Sequence, residues 1–521
     1  MSITFAIKRV PTLPALAFAA EIAPGRNEIS VRCGTAVEAD PQGLIAGAWA
    51  GPFAEMAIDR AMTSIGTALR RTGRGLIAVV GTASANALFF LRTPSKLVVS
   101  NSFALALATG NDALLTSYPF YPQDLASFAF GIDRCRESIP TQAGRPSVAY
   151  ASMQIDVAQL SLAPAAVSRP PPFPSFAAYR AFLIVETEAI FANAADRSRS
   201  VCYPPTVALS AGYDSPAAAV IAREAGCQQA FTFGQPVDQP GSKDDSGAEI
   251  GRALGLQVDE YDTFAYRERT DLPEIEFIAA SFGGGQVYLT SLGDRLANRV
   301  VVSGYGGDRV WATQYALEQE PKFPFYIGGY SQSEFYLRAP ALDLSVPVIG
   351  ARGAADIGRI SRSVEMQHWS IGGDYDRPIP RRLLEDAGVP RGTFAGRKRR
   401  VTPDYDSLTR RAVDLDRFLS PFSRAQFEAW FARVQPFDRA SAFRHRLLVD
   451  SIGRIIWSRK LGRRLNRMGI SWPPKPARLL HWKVPIRKNA FVFNWAMAEQ
   501  ISRYRALLMN ARAKDDSTKP A

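Results

Sequence analysis

The sequence contains few of the residues from which disulfide frameworks and zinc sites are built. Its 521 residues include four cysteines and three histidines. The cysteines stand far apart and form no C-x-x-C pair, which argues against a disulfide scaffold or a zinc ribbon. The histidines are too scattered to predict a metal cluster. This cysteine usage favours a reducing, cytoplasmic location.

Long uninterrupted apolar runs are also missing. The best candidate, Ala85–Ala108, is broken by Arg92 and Lys96, so no membrane span is predicted, since a span needs about 18 or more apolar residues. The short apolar run Leu13–Ala20 is not followed by a clear cleavage site, and a signal peptide is therefore not expected. With 47% apolar and 11% aromatic residues, the composition is that of a folded globular protein.

The positive charge of the chain is confined to its last quarter. The whole chain carries 62 Lys+Arg against 49 Asp+Glu, a net charge of +13. Positions 391–521 hold 29 basic and 10 acidic residues, whereas positions 1–390 have a net charge of −6. Such an excess is typical of nucleic-acid or anionic partners. A tRNA-binding surface that includes Arg454–Arg467 stays open, although a basic helical subdomain closing over an anionic substrate is favoured.

The order of predicted elements divides the chain into three parts. Residues 1–165 are predicted to form a β-rich α+β domain. The prolines of Pro170–Pro174 interrupt regular structure and mark a linker. Within residues 166–400, short apolar strands alternate with helices from Thr206 onward, which predicts an α/β domain with a doubly wound parallel sheet. Residues 401–521 are predicted to be a basic helical region.

The segment Val207–Pro216 carries the strongest chemical signal. It reads Val-Ala-Leu-Ser-Ala-Gly-Tyr-Asp-Ser-Pro, a buried strand that runs into a turn of small residues and then a helix. Small residues let backbone N–H groups approach an anion, and the helix N-terminus adds the positive end of its dipole. A carboxylate at Asp214 fits such a site when a divalent cation bridges it to phosphate. The predicted phosphate-binding residues are Ser210, Ala211, Gly212, Asp214 and Ser215.

A second segment, Val300–Arg309, repeats this pattern about 90 residues later. It reads Val-Val-Val-Ser-Gly-Tyr-Gly-Gly-Asp-Arg, again a buried strand followed by a glycine-rich turn with one aspartate. Turns at the carboxyl ends of parallel strands are expected to face one crevice. We therefore predict that Asp214 and Asp308 jointly hold Mg²⁺, with a helix N-cap as the alternative role of Asp308.

These segments carry a family resemblance. The first resembles the pyrophosphate loop S-G-G-x-D-S of the N-type ATP pyrophosphatases, with Ala211 in place of one glycine. The second is similar to the S-G-x-G-x-D-E turn of asparagine synthetase and its relatives. A third, Asp376–Lys398, is similar to the late segment of that family, which ends in a basic loop supplying an active-site lysine. The resemblance covers roughly residues 170–400.

The resemblance implies an adenine-nucleotide α-hydrolase-like fold that uses ATP and Mg²⁺. It implies activation of a small-molecule or peptide carboxylate as an acyl-adenylate, with release of pyrophosphate, and then attack by an amine or ammonia. Adenine would lie against the strand ends at Leu209 and Phe233, with further nucleotide contacts at Ser303 and Gly304. Lys398 would meet the α-phosphate or the transition state, the alternative being a solvated basic run.

One departure from the family pattern concerns the catalytic base. Tyr305 stands where asparagine synthetase has a glutamate, which is similar to β-lactam synthetase, where a tyrosine–glutamate pair acts as base. A phenol needs a carboxylate to activate it, and Glu334 is the predicted partner, with Glu318, Glu320 and Glu365 as alternatives. A role for Tyr305 as a wall of the pocket stays equally open.

A second departure concerns the N-terminal part. Residues 76–108 resemble the glutamine-hydrolysing domain of the family, which needs a cysteine as its first mature residue. Here Ser2 follows Met1, and the nearest cysteine is Cys33. We therefore expect a degenerate domain without glutaminase activity. Two further functions stay open: a tRNA-modifying ATPase of the same superfamily, and a non-catalytic scaffold of the same fold.

Overall fold

The computed structural model describes most of the chain. The described residues are 3–73, 75–128, 139–166, 168–234, 246–279, 286–313, 334–373, 375–394, 419–436 and 488–517, with isolated positions between 440 and 470. The strands run in chain order as β1 Thr4–Arg9, β2 Phe18–Ile22, β3 Glu28–Cys33, β4 Glu38–Asp40, β5 Gly43–Trp49, β6 Ser64–Thr72, β7 Gly75–Val80, β8 Leu88–Arg92, β9 Leu97–Ser100, β10 Arg145–Ala149, β11 Met153–Asp156, β12 Ser161–Pro164, β13 Pro205–Leu209, β14 Gln229–Phe233, β15 Gln257–Tyr261, β16 Val300–Ser303 and β17 Leu342–Ser345.

The α-helices of the described residues follow the same chain order. They are α1 Phe103–Thr109, α2 Tyr121–Phe128, α3 Phe176–Ala194, α4 Asp214–Glu224, α5 Ala248–Ala253, α6 Ile275–Ile278, α7 Gly293–Leu296, α8 Gly307–Val310, α9 Glu334–Arg338, α10 Ala354–Ser361, α11 Pro378–Asp386, α12 Pro421–Val434 and α13 Val492–Ser517. Short 3-10 turns lie between several of them. Among the described helices, none combines the length and the apolar character needed to cross a membrane.

The N-terminal part is β-rich, as the sequence predicts. Two six-stranded sheets have the orders β1-β3-β2-β9-β8-β10 and β12-β11-β7-β6-β5-β4. Neighbouring strands run antiparallel except for the pair β1–β3. Strand β5 is buried along its whole length, as is helix α1. Burial on every side explains why both segments are continuous apolar runs without alternation.

The predicted parallel sheet is confirmed. Its five strands have the order β15-β14-β13-β16-β17, and every neighbouring pair is parallel. The strand order reverses between β13 and β16. At such a switch point the loops that follow the two central strands diverge and open a crevice at the carboxyl edge of the sheet. The two Asp-bearing segments follow β13 and β16.

Several predicted boundaries differ from the observed ones. Strand β17 was not predicted, since Asp343 at its centre interrupts the apolar pattern. The apolar pattern of the sequence also predicts helices at Val287–Ala297 and Phe443–Arg467. The first segment instead forms a 3-10 turn at Val287–Leu292 followed by the single turn α7, and the second lies largely outside the described residues. The helical prediction holds for α12 and α13 in the C-terminal region.

The two sheet systems contact one another directly through backbone bonds. The Leu16 N–H donates to the Leu337 carbonyl at 2.9 Å, and the Ser345 N–H donates to the Ala83 carbonyl at 2.8 Å. The buried Arg199 reaches from the chain before β13 to the Gly47 carbonyl of β5 at 2.7 Å. These bonds fix the parallel sheet against the N-terminal strands.

Candidate functional site at the switch point of the parallel sheet

The turn after β13 is held by its own serines. The Ser210 N–H donates to Ser215 Oγ at 3.0 Å, and the two hydroxyl oxygens lie 2.8 Å apart. The Gly212 N–H is directed at Ser210 Oγ at 3.4 Å. Helix α4 begins at Asp214 with no side-chain cap at Tyr213. An uncapped helix N-terminus presents N–H groups that an anion can accept from. The strand, the turn and the helix follow one another in the predicted order.

The turn after β16 is pressed against the first turn. A Cβ atom added at Gly304 would overlap the backbone of Asp214 and Ser215. One added at Gly307 would lie 2.5 Å from Asp214 Cγ and 2.6 Å from Asp214 Oδ1. Any side chain at these two positions would therefore push the turns apart. This close approach gives a physical reason for both glycines and brings the Asp308 segment next to Asp214.

A buried arginine that the sequence analysis did not select completes the cluster. Arg377, with a side chain 3% exposed, donates through Nη1 to both carboxylate oxygens of Asp214. Its guanidinium also lies over the ring of Tyr375, 5.1 Å from the centroid. Burial disfavours the charge, but the Asp214 carboxylate, with smaller contributions from Tyr375 and Asp308, outweighs that effect and raises the pKa of Arg377. Both predicted metal ligands therefore act on this one cation.

The loop that carries Arg377 is anchored on both sides. The carboxylate of Asp376 accepts from the Ile371 N–H at 3.0 Å and from the Ser370 hydroxyl at 2.5 Å. The Asp376 carbonyl accepts from the Thr313 hydroxyl at 3.2 Å. Since Thr313 follows α8 closely, the loop before α11 is tied to the end of the Asp308 segment.

Aromatic packing fixes the first turn against α11. The Tyr213 ring is buried, 4.9 Å from Tyr375 and 5.9 Å from Phe394 between centroids. Arg381 of α11 donates to the Tyr213 hydroxyl and stacks over its ring at 5.6 Å. Lys398, the predicted catalytic lysine, lies outside the described residues. Phe394 is the last described residue before it, and its contact places that end of the chain beside the first turn.

The predicted adenine-contacting residues lie at neighbouring strand ends. The Leu209 carbonyl accepts from the Thr232 hydroxyl at 3.0 Å, and this hydroxyl accepts from the Gly247 N–H at 2.8 Å. Phe233 packs edge-on against Tyr288 with centroids 4.6 Å apart. Both Leu209 and Phe233 are buried. The structure therefore brings them to the same edge as the two turns, with both side chains packed in the hydrophobic core.

Ser303 and Tyr305 follow the end of β16. Ser303 is buried, and its hydroxyl is 3.4 Å from Asp343 Oδ1. The Tyr305 carbonyl accepts from the Ser345 hydroxyl at 2.6 Å, so backbone bonding to β17 sets the position of Tyr305. Burial raises the pKa of Asp343 to about 7 despite hydrogen bonds from Ser303 and the Ala85 N–H. The sequence analysis did not select this carboxyl group.

The structure pairs Glu334 with a tyrosine other than the predicted one. Ser102 donates to Glu334 Oε1 at 2.5 Å, and the Tyr504 hydroxyl donates to Oε2. Burial raises the pKa of Glu334 to about 7, although these hydrogen bonds oppose the shift. Helix α9 leads into the amino end of β17, whereas Tyr305 follows the carboxyl end of β16. Among the described residues, Glu334 therefore joins α1, α9 and α13, and no contact supports its predicted role with Tyr305.

The cysteine nearest the N-terminus is unsuited to nucleophilic chemistry. Cys33 ends β3 and is fully buried. Burial raises the pKa of its thiol, against the lowering effect of Arg9, and a buried thiol with little thiolate is a poor nucleophile. This environment is that of a core residue.

The donor set of the cluster suits a cation that is bound mainly through phosphate. Within the described part of the chain, no three His, Cys, Asp or Glu side chains group together as a metal-binding set. Mg²⁺ on a nucleotide takes one or two carboxylates and completes its shell with phosphate oxygens and water. Asp214, with a side chain 24% exposed, and the half-buried Asp308 fit that requirement.

Comparison with known proteins assigns no family to this site. No protein-family model matches the chain, and no curated protein matches it. The functional interpretation therefore rests on the residues and the geometry of the crevice.

Proposed function

We propose that this chain is an ATP-dependent carbon–nitrogen ligase of the asparagine synthetase type, which releases AMP and pyrophosphate. The observation that carries the proposal is the close contact of two Asp-bearing turns at the switch point of a parallel sheet. The first turn is the proposed polyphosphate site, and the second turn, which carries Asp308, lies against it. The proposal includes the adenine-nucleotide α-hydrolase-like fold that the sequence resemblance implies.

One group of residues is proposed to bind the polyphosphate, and a second group to neutralise its charge through a metal ion. Ser210, Gly212 and Ser215, with the N-terminus of α4, would hold the pyrophosphate portion of ATP. Asp214 and Asp308 would hold Mg²⁺, which neutralises the charge of the polyphosphate when bound. Acyl transfer through an adenylate requires mainly orientation of the two reactants.

Nucleotide and substrate contacts follow from the same edge of the sheet. Ser303 and Gly304 would line the nucleotide, with Leu209 and Phe233 behind the adenine. Tyr305 would face the substrate, and Lys398 would stabilise negative charge that develops on the transferred group. The contacts of Glu334 with Ser102 and Tyr504 remove it from this proposal.

The nitrogen nucleophile is proposed to be ammonia or an amine of the substrate. Cys33 is buried in the core and burial raises the pKa of its thiol, so it does not supply a nucleophile for glutamine hydrolysis. A carboxylate of a small molecule or a peptide is the group that is adenylated, and its acyl group passes to the nitrogen with release of AMP. Such a metabolite-dependent reaction, and the unpaired cysteines of the described residues, fit a cytoplasmic enzyme.

The test measures nucleotide binding and pyrophosphate formation on the full-length protein. Calorimetry with Mg²⁺-ATP is expected to show binding, and a panel of amino-acid and peptide carboxylates is screened for release of AMP and pyrophosphate. Asp214→Asn and Asp308→Asn should each lower turnover by at least about 100-fold, because each removes charge from the metal site. Asp156→Asn, in an exposed turn of the N-terminal part, is the matched control.

Three results would count against this proposal. Full turnover in both aspartate variants would remove the metal assignment. A folded protein that binds Mg²⁺-ATP and releases pyrophosphate only with tRNA would establish the tRNA-modifying alternative. Absence of any nucleotide binding would leave only a scaffold of this fold.

A further inference from the structure

Arg377 occupies the oxygens that the proposed function reserves for a metal ion. Its Nη1 contacts both carboxylate oxygens of Asp214. A guanidinium and a divalent cation neutralise a carboxylate by the same Coulomb attraction, so they compete for this position. The chain therefore supplies its own counter-cation at the first turn.

The guanidinium retains capacity for another acceptor. Arg377 Nε is buried and has no hydrogen-bond partner among the described residues. A guanidinium has five N–H donors in a planar fork, a geometry that matches phosphate oxygens. A buried donor without an acceptor costs free energy comparable to a lost hydrogen bond. Asp214 thus balances the charge of the Arg377 side chain. The Nε–H group of that side chain, however, has no hydrogen-bond acceptor among the described residues.

The backbone around Arg377 is anchored, whereas its guanidinium is held by side-chain contacts alone. Asp376 and Thr313 anchor the loop, and Tyr375 presents a ring face over which the guanidinium lies. A change of partner at the guanidinium would therefore involve the Arg377 side chain and leave the anchored loop in place.

We propose that Arg377 is the resident cation of this site and that it passes from Asp214 to a phosphate oxygen when a Mg²⁺-polyphosphate binds. The inference rests on the proposed function, because it assigns a further residue to the same polyphosphate site. In the free protein Arg377 compensates the charge of Asp214. In the bound protein Asp214 is released to the metal, and Arg377 adds positive charge beside the pyrophosphate.

The experiment uses the full-length protein and two probes that need no carboxylate substrate. Mn²⁺ binding without nucleotide is measured by electron paramagnetic resonance, and Mg²⁺-pyrophosphate binding by calorimetry. In Arg377→Met, Mn²⁺ should bind about 10-fold more tightly, because the competing charge is gone. Mg²⁺-pyrophosphate should bind about 10- to 100-fold more weakly, because a charged donor to phosphate is lost.

Two further variants separate this role from a structural one. Arg382→Met is the matched control: Arg382 lies on α11, stacks over Phe176 and pairs with Glu365, and both affinities should stay at the wild-type values. Arg377→Lys keeps the positive charge at this position and is therefore the variant to measure if Arg377→Met does not fold. It should leave Mn²⁺ binding weak and lower pyrophosphate affinity by about 10-fold, because an ammonium lacks the planar fork.

The outcomes distinguish this inference from the proposed function. Unchanged Mn²⁺ affinity in a folded Arg377→Met protein would overturn the role as resident cation. Tighter Mn²⁺ binding with unchanged pyrophosphate affinity would overturn the transfer to phosphate. A wild-type protein that binds neither Mg²⁺-pyrophosphate nor Mg²⁺-ATP would refute the proposed function and the transfer, while a gain of Mn²⁺ affinity in Arg377→Met would still establish the resident cation.

Discussion

Two carboxylates of this protein, the partly exposed Asp214 and the buried Glu334, have their charge accommodated in different ways. Asp214, at the carboxyl edge of the parallel sheet, has its charge compensated by Arg377. Glu334, between α1, α9 and α13, is surrounded by hydroxyl groups of Ser102 and Tyr504, and burial raises its pKa to about 7. A carboxylate with a cationic partner can exchange that partner for a metal. A carboxyl group buried among hydroxyls is favoured in its neutral form and serves packing.

The largest expected effect comes from a substitution that displaces the Asp214 carboxylate. Gly307→Ala would place a Cβ atom 2.5 Å from Asp214 Cγ and so displace the carboxylate or separate the two turns. Misplacement of a catalytic group by about 1 Å can cost 100-fold in rate, and a loss of about 100-fold in pyrophosphate release is expected. Gly392→Ala, at a position with open space around it, is the control, and equal activity of the two variants would contradict the contact.

A second effect tests the Glu334 side through its pH dependence. Folding raises the pKa of Glu334 from 4.5 to about 7, so between these values the native state binds more protons than the unfolded state. The stability that the neutral Glu334 carboxyl group contributes is therefore lost as pH rises from about 4.5 to 7. Glu334→Gln removes this titrating group. The free energy of unfolding of the variant minus that of wild type should therefore be larger by about 2 kcal/mol at pH 8 than at pH 5.

The measurement is urea unfolding of both proteins at the two pH values. Glu188→Gln, on the exposed face of α3, reports the general effect of removing a negative charge. The ligase activity of Glu334→Gln should stay within about threefold of wild type, because its contacts lie away from the two turns. A pH-independent difference in stability, or a loss of activity as large as that expected for Asp214→Asn, would show that the two carboxylates do not differ in the way inferred.

The smallest expected effect concerns the hydroxyl that contacts Glu334. Ser102 caps α1 by accepting from the Leu105 N–H at 3.0 Å and donates to Glu334. Ser102→Ala should lower the free energy of unfolding by about 1–2 kcal/mol, since a cap and a hydrogen bond to a buried carboxyl are both lost. Ser175→Ala removes the cap of α3 alone and should cost less in the same thermal or urea unfolding measurement. Equal losses would indicate that the bond to Glu334 adds no stability.

The sequence predicts the strands of the parallel sheet better than it predicts which distant residues contact one another. The apolar pattern predicts strands at Gln257–Tyr261 and Thr206–Leu209. The first is observed with these bounds, and the second is one residue longer, Pro205–Leu209. Local patterns suffice there because a buried strand between glycine and proline signals is recognisable from its own residues. Strand β17 escaped prediction because Asp343 lies inside it, and the burial of that carboxyl depends on neighbours from other parts of the chain.

The same division holds for the candidate site. Ser210, Gly212 and Asp214 stand out in the sequence because a small-residue turn between a strand and a helix has a recognisable order. Arg377 was within a segment already noted for its family resemblance, yet nothing local distinguishes it from Arg381 or Arg382. Glu334 is predicted from its position in the sequence alone, and in the structure its carboxylate accepts hydrogen bonds from Ser102 and Tyr504.

The sequence by itself determined the class of the fold, the two Asp-bearing turns and the separation of a slightly acidic body from a basic end. These features are local or compositional, so they need no knowledge of which segments meet. Only the tertiary structure decided that Gly304 and Gly307 press against Asp214, that Arg377 supplies its counter-charge and that Glu334 is a buried packing residue. Ion pairing and burial depend on contacts between residues more than 150 positions apart, and that information is contained in the packing of the whole chain.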